Sequence, residues 1–412
     1  MAWIEGPLQY LQTLNGTHDA DLVLIVDPSS VWFQLPPAIL IDRYHEIAKQ
    51  SAPGSRSLRG SFKTARVQSI LFGAQKRCWF ADGFDDDCRD VPNSTLAEKV
   101  FGPDTDKVLR HGESNRFQYS RPRWLNPAFM LGPARELRLF FDRAQELFDL
   151  HKHHPRDPRA IFGQIFADQY RSATASPKHS SAGKILRGSS SAYAVHLDYA
   201  SKLLFTEPFS PFSAAFLTSS DPTSLTTATK ANSIPNPRST LLDLDSDIAA
   251  LRNAPFSILD PTTSSSSEST PQPPPPPQSQ WYTSPTETNW SSVPLLTNLY
   301  TSITPALIQQ TYHNQNAGKE GNRADPWKQM WFYPVARSLL AARLAAPESH
   351  VHIDGPGREW WNAVGTTEIS REGFGIPVDD GEGEGYSWRG WGDLCGEEEQ
   401  EIIFGDGKGM YE

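Results

Sequence analysis

Apolar residues concentrate early in the chain, in a run that ends on a single carboxylate. The segment Asp-Leu-Val-Leu-Ile-Val-Asp, from Asp21 to Asp27, predicts a buried strand, because a short apolar run bounded by turn residues is typical of one. Pro36 and Pro37 then suit the first turn of a helix over 37–49. Ligands of open α/β sheets bind outside the carboxyl ends of strands, so Asp27 is the first candidate for a site residue.

Strand and helix patterns continue to alternate along the first half of the chain. Further strands are predicted over 67–72, 123–131 and 193–206, and further helices over 3–14, 132–151 and 161–171. Strands that alternate with helices at this spacing favour an α/β sheet.

The pattern stops at about residue 207, where Ser, Thr and Pro take over. Such a segment buries too little apolar surface to offset its ordering entropy, so it predicts a disordered insertion. A helix is expected again over 326–345. The chain is therefore divided into a first core segment at 1–206, an insertion at 207–292, a completion of the core at 293–364 and an acidic, Gly-rich tail at 365–412.

Composition narrows the classes of function. The formal net charge of -10 argues against a nucleic-acid-binding surface, which needs basic residues to neutralise phosphates. No segment reaches the roughly 20 apolar residues of a membrane span. The 12 Trp are high for 412 residues, and they fit either a cleft for sugars or bases or ordinary packing of the core and its rim.

The three cysteines leave the redox compartment open. Cys78 and Cys88 are close enough in sequence to form a local disulfide, which leaves Cys395 alone. A bridge would fit a secretory lumen, and free thiols would fit the cytosol.

Short acceptor motifs for N-glycosylation weakly favour the lumen. They begin at Asn15, Asn93 and Asn289. The first residues lack the basic region and apolar stretch of a signal peptide. The chain is therefore expected to be cytosolic or to lack its targeting segment.

Candidate metal chemistry starts from Asp27. A carboxylate at a strand end could hold a divalent cation that neutralises a diphosphate leaving group, or it could cap a turn. His313 and His352 are candidates for a second ligand, although single histidines are also typical of structural or surface positions. Lys319, six residues after His313, is placed to meet a phosphate.

One other pair of polar residues could contact a substrate. Asp168 and Gln169, on a predicted helix, could face a sugar hydroxyl or orient an acceptor, or form a solvated helix face. No Gly-rich phosphate loop, G-x-S-x-G motif or Cys-x-x-Cys pair occurs, so hydrolase and dinucleotide functions have no support.

Several short segments occur in a recognisable order. They are the strand to Asp27 with Val-Trp-Phe-Gln-Leu-Pro-Pro at 31–37, Phe-Gly-Ala-Gln-x-x-Cys-Trp at 72–79, Arg-Trp-Leu-Asn at 123–126 with Leu-Gly-Pro at 131–133, and Asp-Gln at 168–169 followed by Leu-Asp at 197–198. The series resembles the glycosyltransferase domain of procollagen lysyl hydroxylase/glycosyltransferases and its fungal relatives. The resemblance covers about residues 1–205 and resumes at 293–345.

The resemblance implies a GT-A fold, that is, a Rossmann-like mixed sheet flanked by helices, here without the usual first strand and helix. It implies transfer from a nucleotide sugar, typically a UDP-sugar, to a hydroxyl acceptor, assisted by Mn²⁺, in the Golgi or ER lumen. By position, Asp27 would be the first metal ligand and His313 the late one, with His352 as the alternative. Asp168 would orient the acceptor. The remaining contacts to donor or acceptor would come from Gln75, Asn126, Gln169 and Lys319.

Departures from the family pattern support a second hypothesis. Ser30 stands where the family's Asp-x-x-Asp motif has its second acid, and losing an anionic ligand weakens binding of a divalent cation. Gln75 replaces a frequent Glu, and Pro127-Ala128 replaces Ser-Gly. The chain is therefore expected to be a Mn²⁺-assisted glycosyltransferase or, alternatively, an inactive protein of the same fold that serves as a binding module or is a truncated product.

Overall fold

The structure is a computed structural model. It describes residues 2–14, 16–27, 30–51, 69–78, 86–109, 117–151, 157–174, 194–206, 213–232, 234, 244–251, 289–309, 326–336, 351–352, 359–360, 375–379, 386–390 and 404. The chain divides into two compact units. The first consists of Met1–Leu217, Asp221–Asp245 and Leu296–Lys319, and the second of Thr218–Ser220, Ser246–Leu295 and Glu320–Glu412.

A four-stranded sheet forms the centre of the first unit. Its strands are β1 (Leu22–Val26), β3 (Ser69–Gln75), β4 (Trp124–Pro133) and β5 (Ala194–Asp198), in the order β1-β4-β3-β5. β4 is antiparallel to β1 and β3, while β5 is parallel to β3. Strands β1, β3 and β5 therefore run in one direction and end at the same edge of the sheet.

Helices cover one face of this sheet with a single apolar core. They are α1 (Ala2–Thr13), α4 (Ala134–Leu150) and α5 (Pro158–Thr174). Alternate residues of β3, Ile70, Phe72 and Ala74, are fully buried in this core. The Phe72 ring centroid lies 5.4 Å from that of Phe140 in α4. This alternation follows from the two-residue period of a strand, which directs every second side chain to the same face.

The opposite face of β3 meets a second, smaller sheet. This sheet has the order β2-β9-β6, with β2 (Val31–Phe33), β6 (Leu204–Phe205) and β9 (Leu307–Gln309). β9 is antiparallel to β2 and parallel to β6. The approach to β3 is close: a Cβ atom at residue 73 would lie 2.8 Å from the Leu204 side chain, so Gly73 allows the two sheets to pack.

Helix α2 (Pro37–Ser51) joins these sheets. Tyr44 donates a 2.8 Å hydrogen bond from its hydroxyl to the carbonyl of Ser69 at the start of β3. Arg43, only 3% exposed, donates to the carbonyls of Lys202 and Thr304 and to the Asp245 carboxylate. One buried guanidinium thus ties α2 to the segments that precede β6 and β9.

Part of the Ser/Thr/Pro-rich range carries regular structure. Strand β7 (Ala214–Leu217) pairs with β8 (Leu295–Asn298), whose last three residues belong to the first unit, and helix α6 (Ser224–Ala231) follows β7. Leu217 and Leu225 are buried with Phe101 in a separate cluster. These residues differ from the unstructured insertion that the composition predicts, because short apolar runs supply enough burial for a strand and a helix.

A disulfide joins Cys78, after β3, to Cys88 in the short helix α3 (Asp86–Arg89). The indole nitrogen of Trp124 donates a 2.9 Å hydrogen bond to the Cys88 carbonyl, which fastens α3 to the start of β4. The sequence left this pairing open, and the structure contains it.

The described residues of the second unit form small elements. They are α7 (Ser246–Ala249), 3-10 turns at Pro326–Gln329 and Tyr333–Val335, the antiparallel pair of β10 (Val351–His352) with β11 (Glu359–Trp360), and the antiparallel pair of β12 (Gly375–Asp379) with β13 (Tyr386–Gly390). The expectation of an α-helix from residue 326 is wrong over its first ten residues. Pro334 lies there, and proline cannot donate the hydrogen bond that a helix interior requires. Residues 337–345 lie outside the described part.

The class predicted from the sequence is confirmed at its coarser level. The first unit is a mixed α/β structure with mixed sheets flanked by helices. Within the described ranges, no helix combines the length and the hydropathy that crossing a membrane requires.

Candidate functional site

The carboxyl ends of β1, β3 and β5 bring polar residues to one edge of the central sheet. Gly73 in β3 pairs with Asn126 of β4 on one side and with Asp198 of β5 on the other. Asp27 follows β1, and its backbone N–H donates a 2.9 Å hydrogen bond to Ala128 in β4. We call this end of the sheet, with Asp27, Gln75, Asn126 and Asp198, the Asp27 edge.

Asp27 keeps a partly exposed side chain in a tight turn. The N–H groups of Ser30 and Val31 donate to its carbonyl at 3.2 and 3.0 Å. The Ser30 hydroxyl, in a residue that is 7% exposed, donates a 2.8 Å hydrogen bond to Oδ2 of the Asp27 carboxylate. Position 30 therefore lies directly beside the carboxylate, where a second acid would share any cation bound to Asp27.

Asn126 is held by hydrogen bonds at both ends of its amide. Its Oδ1 accepts from the N–H of Ala128 at 2.9 Å, and its Nδ2 donates to Oε1 of Gln309 at 2.6 Å. The local chain favours this geometry because Pro127, between them, has no N–H to donate to a neighbouring strand. Asn126 is 4% exposed, so its hydrogen bonds hold the Asp27 edge together from a buried position.

Gln309 is a member of this group that the sequence did not indicate. It ends β9, and it pairs with Val31, the residue after Ser30. Its side chain connects β9 to Asn126 in β4. The only local signal was a polar residue that ends the apolar pair Leu307-Ile308, four residues before His313.

Gln75 ends β3 at the same edge and is 6% exposed. Its backbone carbonyl accepts a hydrogen bond from the N–H of Arg123 at 3.1 Å. Its side-chain Nε2 is buried and has no hydrogen-bond partner among the described residues. A buried amide donor of this kind calls for an acceptor such as water or a ligand oxygen.

Asp198 contributes structure to the edge. It is 2% exposed, and its carboxylate accepts N–H hydrogen bonds from Lys202, Leu203 and Leu204 at 3.0, 2.6 and 3.2 Å. Burial raises the pKa of Asp198, while these backbone donors counteract part of the rise. The residue organises the loop between β5 and β6.

Asp168 and Gln169 make contacts of a structural kind. Asp168 pairs with Arg171, which also binds Asp87 of α3 at 2.9 Å. Burial alone would lower the pKa of Arg171, but its hydrogen bonds to Asp168 and Asp87 raise that pKa above its ordinary value. Gln169 accepts from the N–H of Val195 at 2.8 Å and donates to its carbonyl at 3.0 Å, so it completes the open side of β5.

The remaining predicted site residues are not brought to the Asp27 edge by described contacts. His313 and Lys319 lie outside the described residues. His352 belongs to β10 of the second unit, and its side chain is not described.

A cavity of about 200 Å³ lies beside the beginning of β4. Its lining includes Phe117, Arg121, Arg123 and Trp124. Arg121 is neutralised by Asp106, to which it donates from Nε at 2.8 Å. Nε of Arg123 is buried without an acceptor in the described part of the chain. The cavity lining therefore combines guanidinium groups with aromatic surface, a combination that suits a planar or anionic group.

A divalent cation would find few charged ligands among the described residues. No three of their His, Cys, Asp and Glu side chains form a group that could hold a metal ion. The Asp27 carboxylate and the Ser30 hydroxyl nevertheless fit Mn²⁺ or Mg²⁺ in kind, because these cations prefer oxygen ligands. Asp27 would hold such an ion, with Ser30 as a neutral neighbour.

His196 of β5 makes the stability of the sheet depend on pH. Its Nε2 is buried without a partner among the described residues, and burial lowers the pKa of His196 below its ordinary value. The unfolded chain then binds a proton more readily than the folded chain does. The contribution of His196 to the free energy of unfolding should therefore be fully present above about pH 6.5 and be lost as the pH drops toward the lower pKa of the folded state.

Urea unfolding at several pH values between about 5 and 8 tests this expectation. His196→Gln should flatten the fall in the free energy of unfolding. Equal slopes in the wild type and His196→Gln would contradict the assignment.

No protein-family model matches the chain, and no curated protein is similar to it.

Proposed function

We propose that the first unit is a GT-A-like domain that binds a nucleotide sugar at the Asp27 edge and transfers the sugar to a hydroxyl acceptor. The observation that carries this proposal is the position of the Asp27 carboxylate. It is partly exposed and follows a strand that ends where two other strands of the same direction end, which is where α/β folds bind nucleotides.

The residues of the chain would divide the work as follows. Asp27 would hold a divalent cation together with His313, and that cation supplies positive charge for the diphosphate leaving group. Lys319 would donate to the same phosphates. The unpaired Nε2 of Gln75 would line the donor or acceptor side, and Asn126, whose amide is hydrogen-bonded at both ends, would hold that side in place. Asp168 is engaged by Arg171, so we assign it no part in activating the acceptor.

The disulfide bears on the cellular compartment in which this transfer would occur. A Cys78–Cys88 bridge persists in oxidising compartments, so the proposal places the protein in the Golgi or ER lumen.

Ser30 supports a second candidate function, a domain of the same fold that binds a nucleotide sugar or a partner without turnover. Its hydroxyl donates to Oδ2 of Asp27, so the turn after β1 offers a divalent cation one carboxylate and a neutral hydroxyl instead of two carboxylates. The two candidates differ in whether binding depends on the cation and whether the sugar is released.

Calorimetric titration of the full chain with UDP, in the presence and absence of Mn²⁺, tests the first candidate. UDP should bind more tightly with Mn²⁺. Asp27→Asn keeps the size of the side chain but removes its charge, and it should reduce the Mn²⁺-dependent affinity at least about tenfold, or about 1.4 kcal/mol. Asp21→Asn, at the start of the same strand, is the matched control and should bind as the wild type does.

Further results of this experiment separate the candidates. Ser30→Asp should tighten Mn²⁺ binding by adding the second carboxylate, and it should destabilise the chain without metal because two acids then lie side by side. The second candidate would be favoured if the affinity for UDP does not depend on Mn²⁺ and if the chain releases no sugar from UDP-sugars. No UDP binding under either condition would contradict both nucleotide-sugar functions.

A further inference from the structure

The loop after the disulfide carries one of the three N-glycosylation motifs in an accessible form. Asn93, Ser94 and Thr95 lie between α3 and β4, in a segment without helix or strand structure. Asn93 and Thr95 are exposed, while Ser94 between them and Pro92 before them are half-buried. Such alternation directs the side chains of positions 93 and 95 to the same outward side, as in an extended chain.

Fixed contacts on both sides hold this segment on the surface. Val91, 4% exposed, accepts a 2.8 Å hydrogen bond from Arg123, and the carbonyl of Leu96 accepts one of 2.9 Å from Arg121. The Asn93 carboxamide itself makes no hydrogen bond to the described residues. Asn93 also lines the rim of the cavity beside the beginning of β4, and a substituent on its nitrogen would break no hydrogen bond among the described residues.

The other motifs do not share these properties. Oδ1 of Asn289 accepts from the N–H groups of Ser291 and Ser292 at 2.9 and 3.2 Å, and Trp290, inside that motif, is 5% exposed. The motif at residues 289–291 is thus folded back on itself around a buried ring. Asn15 lies outside the described residues.

The disulfide is an independent indication that the same loop passes through a compartment where glycosylation takes place. Cys88 lies five residues before Asn93, and a disulfide such as its bridge to Cys78 is typical of proteins in oxidising environments such as the ER lumen. The acceptor motif and the bridge thus indicate the same compartment from different chemistry.

We propose that Asn93 is a site of N-linked glycosylation, with an oligosaccharide carried on a lipid diphosphate as the donor. In the transfer, Nδ2 of Asn93 forms a bond to the anomeric carbon of the sugar and loses one proton. The bond between that carbon and the phosphate oxygen breaks, and the lipid diphosphate leaves with the electron pair. This modification is independent of the activity proposed for the Asp27 edge.

Mass spectrometry of the full chain isolated from the cells that produce it naturally tests the proposal. Treatment with an amidase that removes N-glycans, in ¹⁸O-labelled water, should convert Asn93 to a labelled aspartate. Thr95→Ala destroys the motif and should abolish the conversion. Thr95→Ser preserves the motif and is the matched control, so it should retain the conversion.

Recovery of unmodified Asn93 from the wild-type chain would overturn the proposal, whatever the state of Cys78 and Cys88. Conversion that persists in Thr95→Ala would overturn it as well, since the label would then come from spontaneous deamidation. Both variants change an exposed side chain, and circular dichroism checks that they fold as the wild type does.

Discussion

Replacing Phe140 with alanine should lower the free energy of unfolding by about 3–5 kcal/mol. Phe140 is fully buried in α4, and its ring lies 5.4 Å from Phe72 of β3, 5.6 Å from Phe141 and 5.3 Å from Phe162 of α5. Truncation removes the apolar surface and leaves a cavity where the sheet meets two helices. Neighbouring rings cannot fill the space because each is itself held by the others.

Urea unfolding followed by circular dichroism measures this effect. Leu150→Ala, in the last residue of the same helix, is the matched control, since Leu150 is 74% exposed. It should change the free energy of unfolding by less than about 0.5 kcal/mol. A Phe140→Ala midpoint equal to that of the control would mean that α4 does not pack on the sheet as described.

Replacing Arg43 with methionine should lower the free energy of unfolding by about 3 kcal/mol, because it leaves buried acceptors without their hydrogen-bond donor. Arg43 donates at 2.8 Å to Lys202, at 2.6 Å to Thr304 and at 3.0 Å to Asp245. Methionine fills much of the volume of arginine but makes none of these bonds. The substitution should weaken the packing of α2 against the segments before β6 and β9.

The same unfolding assay applies, with Arg135→Met as the matched control. Arg135 is 60% exposed and lies 4.0 Å from Glu136, so its loss should change stability by less than about 0.5 kcal/mol. Arg43→Lys keeps the charge but lacks the planar fork that reaches three acceptors at once. Its free energy of unfolding should therefore lie between those of Arg43→Met and Arg135→Met. An unchanged free energy of unfolding in Arg43→Met would show that water replaces the guanidinium at these carbonyls.

Much of the first unit could be predicted because its signals are local. The continuous apolar run before Asp27 indicated β1, and the helical period after Pro133 indicated α4, which ends at Leu150, one residue before the predicted end. The parallel strand β5 was likewise visible as an apolar run. In each case the pattern lies within a single segment, so neighbours in the sequence suffice to reveal it.

The elements that were missed depend on partners far along the chain. β2 and β9 have three residues each, too few for a periodic pattern, and they become strands because they pair with each other. For the same reason Gln309 could not be linked to Asn126 from the sequence. The structural roles of Asp168 and Gln169 were also hidden, since Arg171 and Val195 define them only in three dimensions.

The distance along the chain between Asn126 and Gln309 has a consequence for biosynthesis. The two residues share a hydrogen bond although they are 183 positions apart. At the usual rate of translation, the ribosome needs about 10 to 40 s to advance from the first residue to the second. The nascent chain therefore carries β4 and the Asp27 turn for that time without β9. A premature stop between them would yield a sheet whose polar edge never closes, and such a product would be a target for chaperones.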